Sequence, residues 1–87
     1  MNSKENQIRL LLELKEAVKR NKRSIEEAQY HLSLTFLQEC DSKQTEKKAK
    51  KLDNDMELII HTALIEDRQD AAMSVIDEAI AYIDNLD

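Results

Sequence analysis

The chain has 87 residues, 13 cations against 18 anions and a net charge of −5, with no glycine, proline or tryptophan. That size suits one small domain, 1–87. The missing glycine excludes a P-loop, a dinucleotide fingerprint and a nucleophile elbow, and with proline also absent little β-hairpin chemistry remains. The acidic balance argues against general nucleic-acid affinity.

The residues that remain are mostly good helix formers, so the expected class is all-α. The segment "MNSKENQ" is polar and no signal-peptide apolar core follows it. No stretch approaches the roughly 20 apolar residues of a membrane span, which makes the cytoplasm the expected compartment. Cys40 is the single cysteine, so no internal disulfide forms.

The first predicted element is a long helix over about residues 5–40. Leu10, Leu11, Leu14, Ala17 and Val18 cluster on one face. Ile25, Ala28, Leu32, Phe36 and Cys40 cluster in nearly the same direction. The series Leu11, Leu14, Val18, Asn21, Ile25, Ala28, Leu32 keeps alternating three- and four-residue spacings, as a heptad does. Between the two clusters lies "KRNKRSIEEA", residues 19–28. Ser24 with Glu27 fits a capping box, and cations before acids suit a helix end followed by a helix start. Lys22–Glu26 and Arg23–Glu27 also sit four apart, as neighbours on one continuous surface do. The unbroken apolar phase favours the continuous helix, with Asn21 in its seam.

A second stripe runs along this helix. Tyr30, Leu34 and Leu37 lie at i, i+4 and i+7, with Ile8 and Leu12 on the same side near the start. It is either covered by the last helix or left as an interface.

The second predicted helix covers about 43–65. Asp41 and Ser42 are its candidate N-caps, with Asp41 and Gln44 spaced as a capping-box pair. Ala49, Leu52, Met56, Ile59, Ile60, Ala63 and Leu64 share its apolar face. Lys43, Lys47, Lys50 and Lys51 fall opposite, as a solvated face does.

The third predicted helix covers about 68–86. Its face of Ala71, Ala72, Val75, Ile76, Ala79, Ile80, Ile83 and Leu86 is out of phase with the preceding one. This implies a turn within "IEDRQD", with Asp67 as N-cap. Its apolar sector is wider than one neighbour requires, and Tyr82 lies on its flank. Residues 66–87 carry seven acids against Arg68 alone, a local charge of −6 that suggests internal pairing or a partner that touches one end.

Short connections make neighbouring helices antiparallel. The expected architecture is therefore a helical hairpin or three-helix bundle. A core this small and aliphatic calls for completion by dimerisation.

No catalytic constellation emerges. His31 and His61 each follow a glutamate by four residues, Glu27 and Glu57, which makes surface pairs on a helix. Bundle di-metal sites use Glu-x-x-His from inward positions instead. Neither a cofactor nor a small-molecule substrate is implied. The expected function is a non-enzymatic protein–protein interaction module of adaptor, chaperone or inhibitor type, acting as a homodimer that binds another protein. Its candidate interface residues are Tyr30, Leu34, Leu37, Val75, Ile76, Ala79, Ile80, Tyr82 and Ile83. The alternative is a nucleic-acid-associated regulator. It would present the basic strips Lys15, Lys19, Lys22 and Arg23, and Lys47, Lys50 and Lys51. No aromatic residues interleave with those strips to stack on bases.

Overall fold

The structure, a computed structural model, describes residues 3–37, 43–62 and 65–85, with the backbone alone at residues 3, 37, 65 and 66. Among the described residues there are four helices and no strand: α1 (Ser3–Lys19), α2 (Ile25–Leu37), α3 (Lys43–Thr62) and α4 (Ile65–Asp84). The all-α class holds. The single helix expected over 5–40 does not, because the chain turns back at residues 20–24.

Both sides of that turn are capped. The N–H of Lys22 donates to the Ala17 carbonyl at 2.8 Å and the N–H of Asn21 to the Val18 carbonyl at 3.1 Å. Asn21 has φ of 60°. These are the paired bonds and left-handed residue of a Schellman motif, with Asn in the place glycine usually takes. Ser24 then starts α2. Its hydroxyl accepts from the Glu27 N–H at 3.1 Å. Glu27 in turn accepts from the Ser24 N–H at 3.2 Å, completing a reciprocal capping box. Asn21 is thus exposed in a turn, not in an apolar seam.

The Gln69 side chain seals the end of α1 from outside. Its amide donates to the Val18 carbonyl and, at 2.8 Å, to the Lys19 carbonyl. Those carbonyls belong to the last turn of α1, which has few partners of its own.

The turn expected within "IEDRQD" does not form, because those residues are helical. α4 begins at Ile65, so Asp67 is inside its first turn and does not cap it. α3 and α4 are separate helices, so the two faces that are out of phase in the sequence both turn to one core. The expected caps Asp41 and Ser42, and Cys40, Ala63, Leu64 and Leu86, lie outside the described residues.

The helices run up, down, up, down. Lys15 meets Asp77 while Val18 and Lys19 meet Gln69, so α1 and α4 are antiparallel. Gln29 meets Glu57 while Ser33 meets Asp53, so α2 and α3 are antiparallel too. Thr45 meets Tyr82 and Lys48 meets Glu78, which sets α3 against α4 in the same sense. α1 packs mainly on α4, and α2 on α3.

The core takes one stripe from each helix. Leu11, Leu14 and Val18 come from α1, Ala28, Leu32 and Phe36 from α2, and Leu52 and Met56 from α3. α4 adds Ala72, Val75, Ile76, Ala79 and Ile83. The fully buried Ala28, Ala72 and Ala79 let helix backbones approach closely. The result measures 36 × 24 × 18 Å, shorter than the roughly 54 Å that a single helix over 5–40 would span.

Candidate functional site

A groove of about 480 Å³ runs between α1 and α2. Leu10, Leu11, Glu13, Leu14 and Ala17 line it from α1, and His31, Leu34 and Thr35 from α2, with Arg23 at one end. The α1 residues recur at three- and four-residue spacing, which puts them on one side of the helix. Leu11 and Leu14 are buried and form the floor. Leu10 and Leu34 stand on the walls at 44% and 37% exposure. The groove is open because α1 leans on α4 and α2 on α3, leaving their shared seam the least closed of the four.

Two of the four polar side chains lining the groove are engaged within the chain. The Thr35 hydroxyl donates to the His31 carbonyl one turn back, at 2.9 Å. The Arg23 guanidinium holds Glu27 at 3.1 Å. His31 turns into the groove instead of pairing with Glu27, and its ring meets Tyr30 edge-on at 5.7 Å. Tyr30 itself is 62% exposed. Glu13 and His31 add polar edges to walls that are otherwise mainly leucine, a lining that suits an apolar side chain with a polar rim.

The candidate interface residues fall into two groups. Tyr30 and Leu34 stand exposed beside the groove, and α4 does not cover them. Leu37 ends α2, and its side chain lies outside the described set. Val75, Ile76, Ala79 and Ile83 are buried within this chain, where α4 packs among the other three helices. Ile80 and Tyr82 are half-buried against that core. The wide apolar sector of α4 thus has its neighbours within the chain. Leu10 and Leu58, at 44% and 61% exposure, were not apparent as surface residues from the sequence. A continuous first helix places Leu10 on the core face, and the turn at 20–24 moves it to the rim.

The basic strips are substantially paired. Lys15 binds Asp77 at 2.8 Å, Lys50 lies 3.7 Å from Glu46, and Lys51 bridges Asp55 and Glu78 at 2.9 Å each. With Arg23 on Glu27, four of the seven strip cations already face carboxylates. Lys19, Lys22 and Lys47 are exposed. Lys48 joins Glu78 at 3.2 Å and lies over the Tyr82 ring. The acidity of the C-terminal segment thus serves, through Asp77 and Glu78, to tie α4 to α1 and α3. That internal pairing was one of the two expectations drawn from the charge asymmetry.

A polar seam links α2 to α3. The Gln29 amide donates to Glu57 at 2.9 Å and to Asp53 at 3.1 Å, and the Ser33 hydroxyl donates to Asp53 at 3.1 Å. His61 pairs with Glu57 at 3.0 Å, as its spacing predicts. Among the described residues, no group of three or more His, Cys, Asp or Glu side chains gathers as metal ligands do. No helix among them is long and apolar enough to cross a membrane.

Three carboxylates titrate below their ordinary value near 4.5. The Ser24 backbone N–H lowers Glu27, the Gln29 amide lowers Glu57 and the Lys51 ammonium lowers Glu78. Glu78 and then Asp55 push Lys51 above its ordinary value. Each carboxyl binds a proton less readily folded than unfolded, so acid favours the unfolded chain. That stabilisation is full above the ordinary carboxyl value and is lost as pH falls through the lower folded values. The Lys51 contribution is full below its ordinary value and is lost as pH rises through the raised one. Melting temperature should therefore be flat near neutrality and drop in acid between about pH 5 and pH 2. Glu57→Gln should shallow the acid drop, and an unchanged acid slope would refute the assignment.

No protein-family model, curated protein or solved structure matches this chain.

Proposed function

We propose that the chain is a small non-enzymatic protein–protein interaction module, of adaptor, chaperone or inhibitor type, that self-associates through its α1–α2 face. The observation that carries this is the open groove flanked by exposed Leu10, Leu34 and Tyr30. Apolar walls, an exposed aromatic anchor and a charged rim are what helix-in-groove recognition uses. Tyrosine also ranks among the residues that concentrate binding energy. The walls of the groove are mainly leucine, which supports a docking role. The pairing of the basic strips disfavours the nucleic-acid alternative. The compartment we propose is the cytoplasm, as the sequence suggested.

The test is sedimentation of the parent and of Tyr30→Glu and Leu34→Glu at rising concentration. Placing a carboxylate in an apolar contact is expected to weaken association at least about tenfold, or about 1.4 kcal/mol. Helicity should stay unchanged because both side chains are exposed. A parent that stays monomeric at high micromolar concentration, and binds no partner through this face, would overturn the proposal.

A further inference from the structure

The turn at residues 20–24 is well capped, yet it interrupts an apolar pattern that does not need it. Leu11, Leu14 and Val18 before the turn and Ile25, Ala28 and Leu32 after it keep one heptad phase. All but the half-buried Ile25 are buried in the closed bundle. If residues 20–24 became helical, α1 and α2 would form one straight rod with a single apolar face. Its length over residues 3–37 would be about 52 Å. The turn holds no glycine or proline to forbid this, and Arg20, Lys22 and Arg23 are good helix formers. The residue forced to positive φ is Asn21, which tolerates that region less well than glycine.

We infer that the α1–α2 turn is a hinge, and that two copies of this chain exchange α1 by opening it. This goes beyond the proposed function: it is a mode of self-association distinct from docking through the α1–α2 face, and the Leu34→Glu arm below tells the two apart. The polarity is consistent. An opened α1 runs N to C toward the hinge, while α2 of an inverted second copy runs away from it. The incoming α1 is thus antiparallel to that α2 and parallel to the α1 it replaces. It meets the same seat, with Lys15 on Asp77 and the buried face of Leu11, Leu14 and Val18 on α4. The contacts that α1 makes outside the hinge are remade between chains while the other helix pairs stay within each chain, which is why swapping is a low-cost route to dimers.

At the hinge, one set of bonds replaces another. The Ala17 and Val18 carbonyls leave their Schellman partners and the Gln69 amide, and return to intrahelical bonds. Lys22 and Glu26 become neighbours on a continuous surface. Asn21 enters the apolar seam close to the two-fold axis, opposite its copy. There a paired asparagine specifies one alignment of two helices.

The test changes the hinge alone and reads oligomeric state by sedimentation, with far-ultraviolet dichroism to confirm folding. Asn21→Gly favours positive φ and holds the turn closed. Asn21→Ala with Ser24→Ala removes both the left-handed residue and the cap. Each dimer opens two hinges, so either effect enters twice. The double alanine variant should dimerise at least about tenfold more tightly than the parent, and the glycine variant at least about fivefold more weakly. Adding Leu34→Glu to the double alanine variant should leave its dimer intact. An unchanged dimer constant in the double alanine variant would overturn the exchange. If the double variant does not fold, the glycine variant decides: a parent dimer that survives Asn21→Gly, or no parent dimer at all, rejects it. Loss of the double variant's dimer on adding Leu34→Glu would also reject exchange, and would favour docking through the α1–α2 face instead.

Discussion

Phe36→Ala is expected to remove about 3–5 kcal/mol of folding stability. Phe36 is the largest fully buried or nearly buried side chain, at 2% exposure, and sits at the end of the bundle away from the 20–24 turn. Its ring lies 6.1 Å from that of Tyr82. The Tyr82 hydroxyl shares a hydrogen bond with Thr45 at 3.1 Å, and Lys48 lies over the same ring. Removing Phe36 therefore empties the site that α2, α3 and α4 meet around. A domain of this size commonly has about 5–10 kcal/mol in total, so the variant should be close to unfolded at 37 °C. Urea titration measures the loss. Phe36→Leu, which keeps most of the volume, should lose well under half as much. A loss below about 1 kcal/mol for Phe36→Ala would contradict the packing at this end.

Ile76→Ala should cost about 2–5 kcal/mol, and the cost should not depend on protein concentration. Ile76 has 0% exposure and lies between Ala72 and Ala79 on the face that α4 turns to the core. From the sequence it was equally a candidate interface residue. The two roles differ in mass action. A residue buried between two chains contributes stability that falls on dilution, whereas a residue buried within one chain contributes at any concentration. Denaturation at two concentrations about a hundredfold apart separates them. An Ile76→Ala cost that shrinks on dilution would place this residue between chains. Tyr30→Ala, by contrast, should shift monomer stability by no more than about 0.5 kcal/mol.

Ile76 also shows how far periodicity reaches. Spacing of three and four located the core face of α4 at Ala72, Val75, Ile76, Ala79 and Ile83, while Ala71 and Ile80, assigned to the same face, are half-buried. It could not say whether that face meets its own chain or another, because burial is chemically the same in both. The exposed stripe was legible in part. Tyr30 and Leu34 stood out because they lie off the core face. The groove beside them did not, since it exists only once α1 and α2 fold back on each other.

The turn at 20–24 is the case where two valid local signals conflicted. Ser24 and Glu27 signalled a helix start, and they make that capping box. The apolar phase signalled continuity, and it is compatible with a hairpin because each helix separately needs only an inward face. Length decides between them. A rod of about 52 Å exceeds the 36 Å bundle, so a single chain would leave its far apolar end in water. Folding it back buries both halves against α3 and α4.

By itself, the sequence determined the helical class, through helix-forming residues without glycine or proline, and the inward face of each helix, through spacing. It also specified the Ser24–Glu27 cap and the Glu57–His61 pair, which need only neighbouring residues. The number of helices, the closure of α4 among its three neighbours and the open α1–α2 groove were decided by tertiary structure alone. They depend on which apolar face covers which, and that is settled by the total surface the four helices remove from water together.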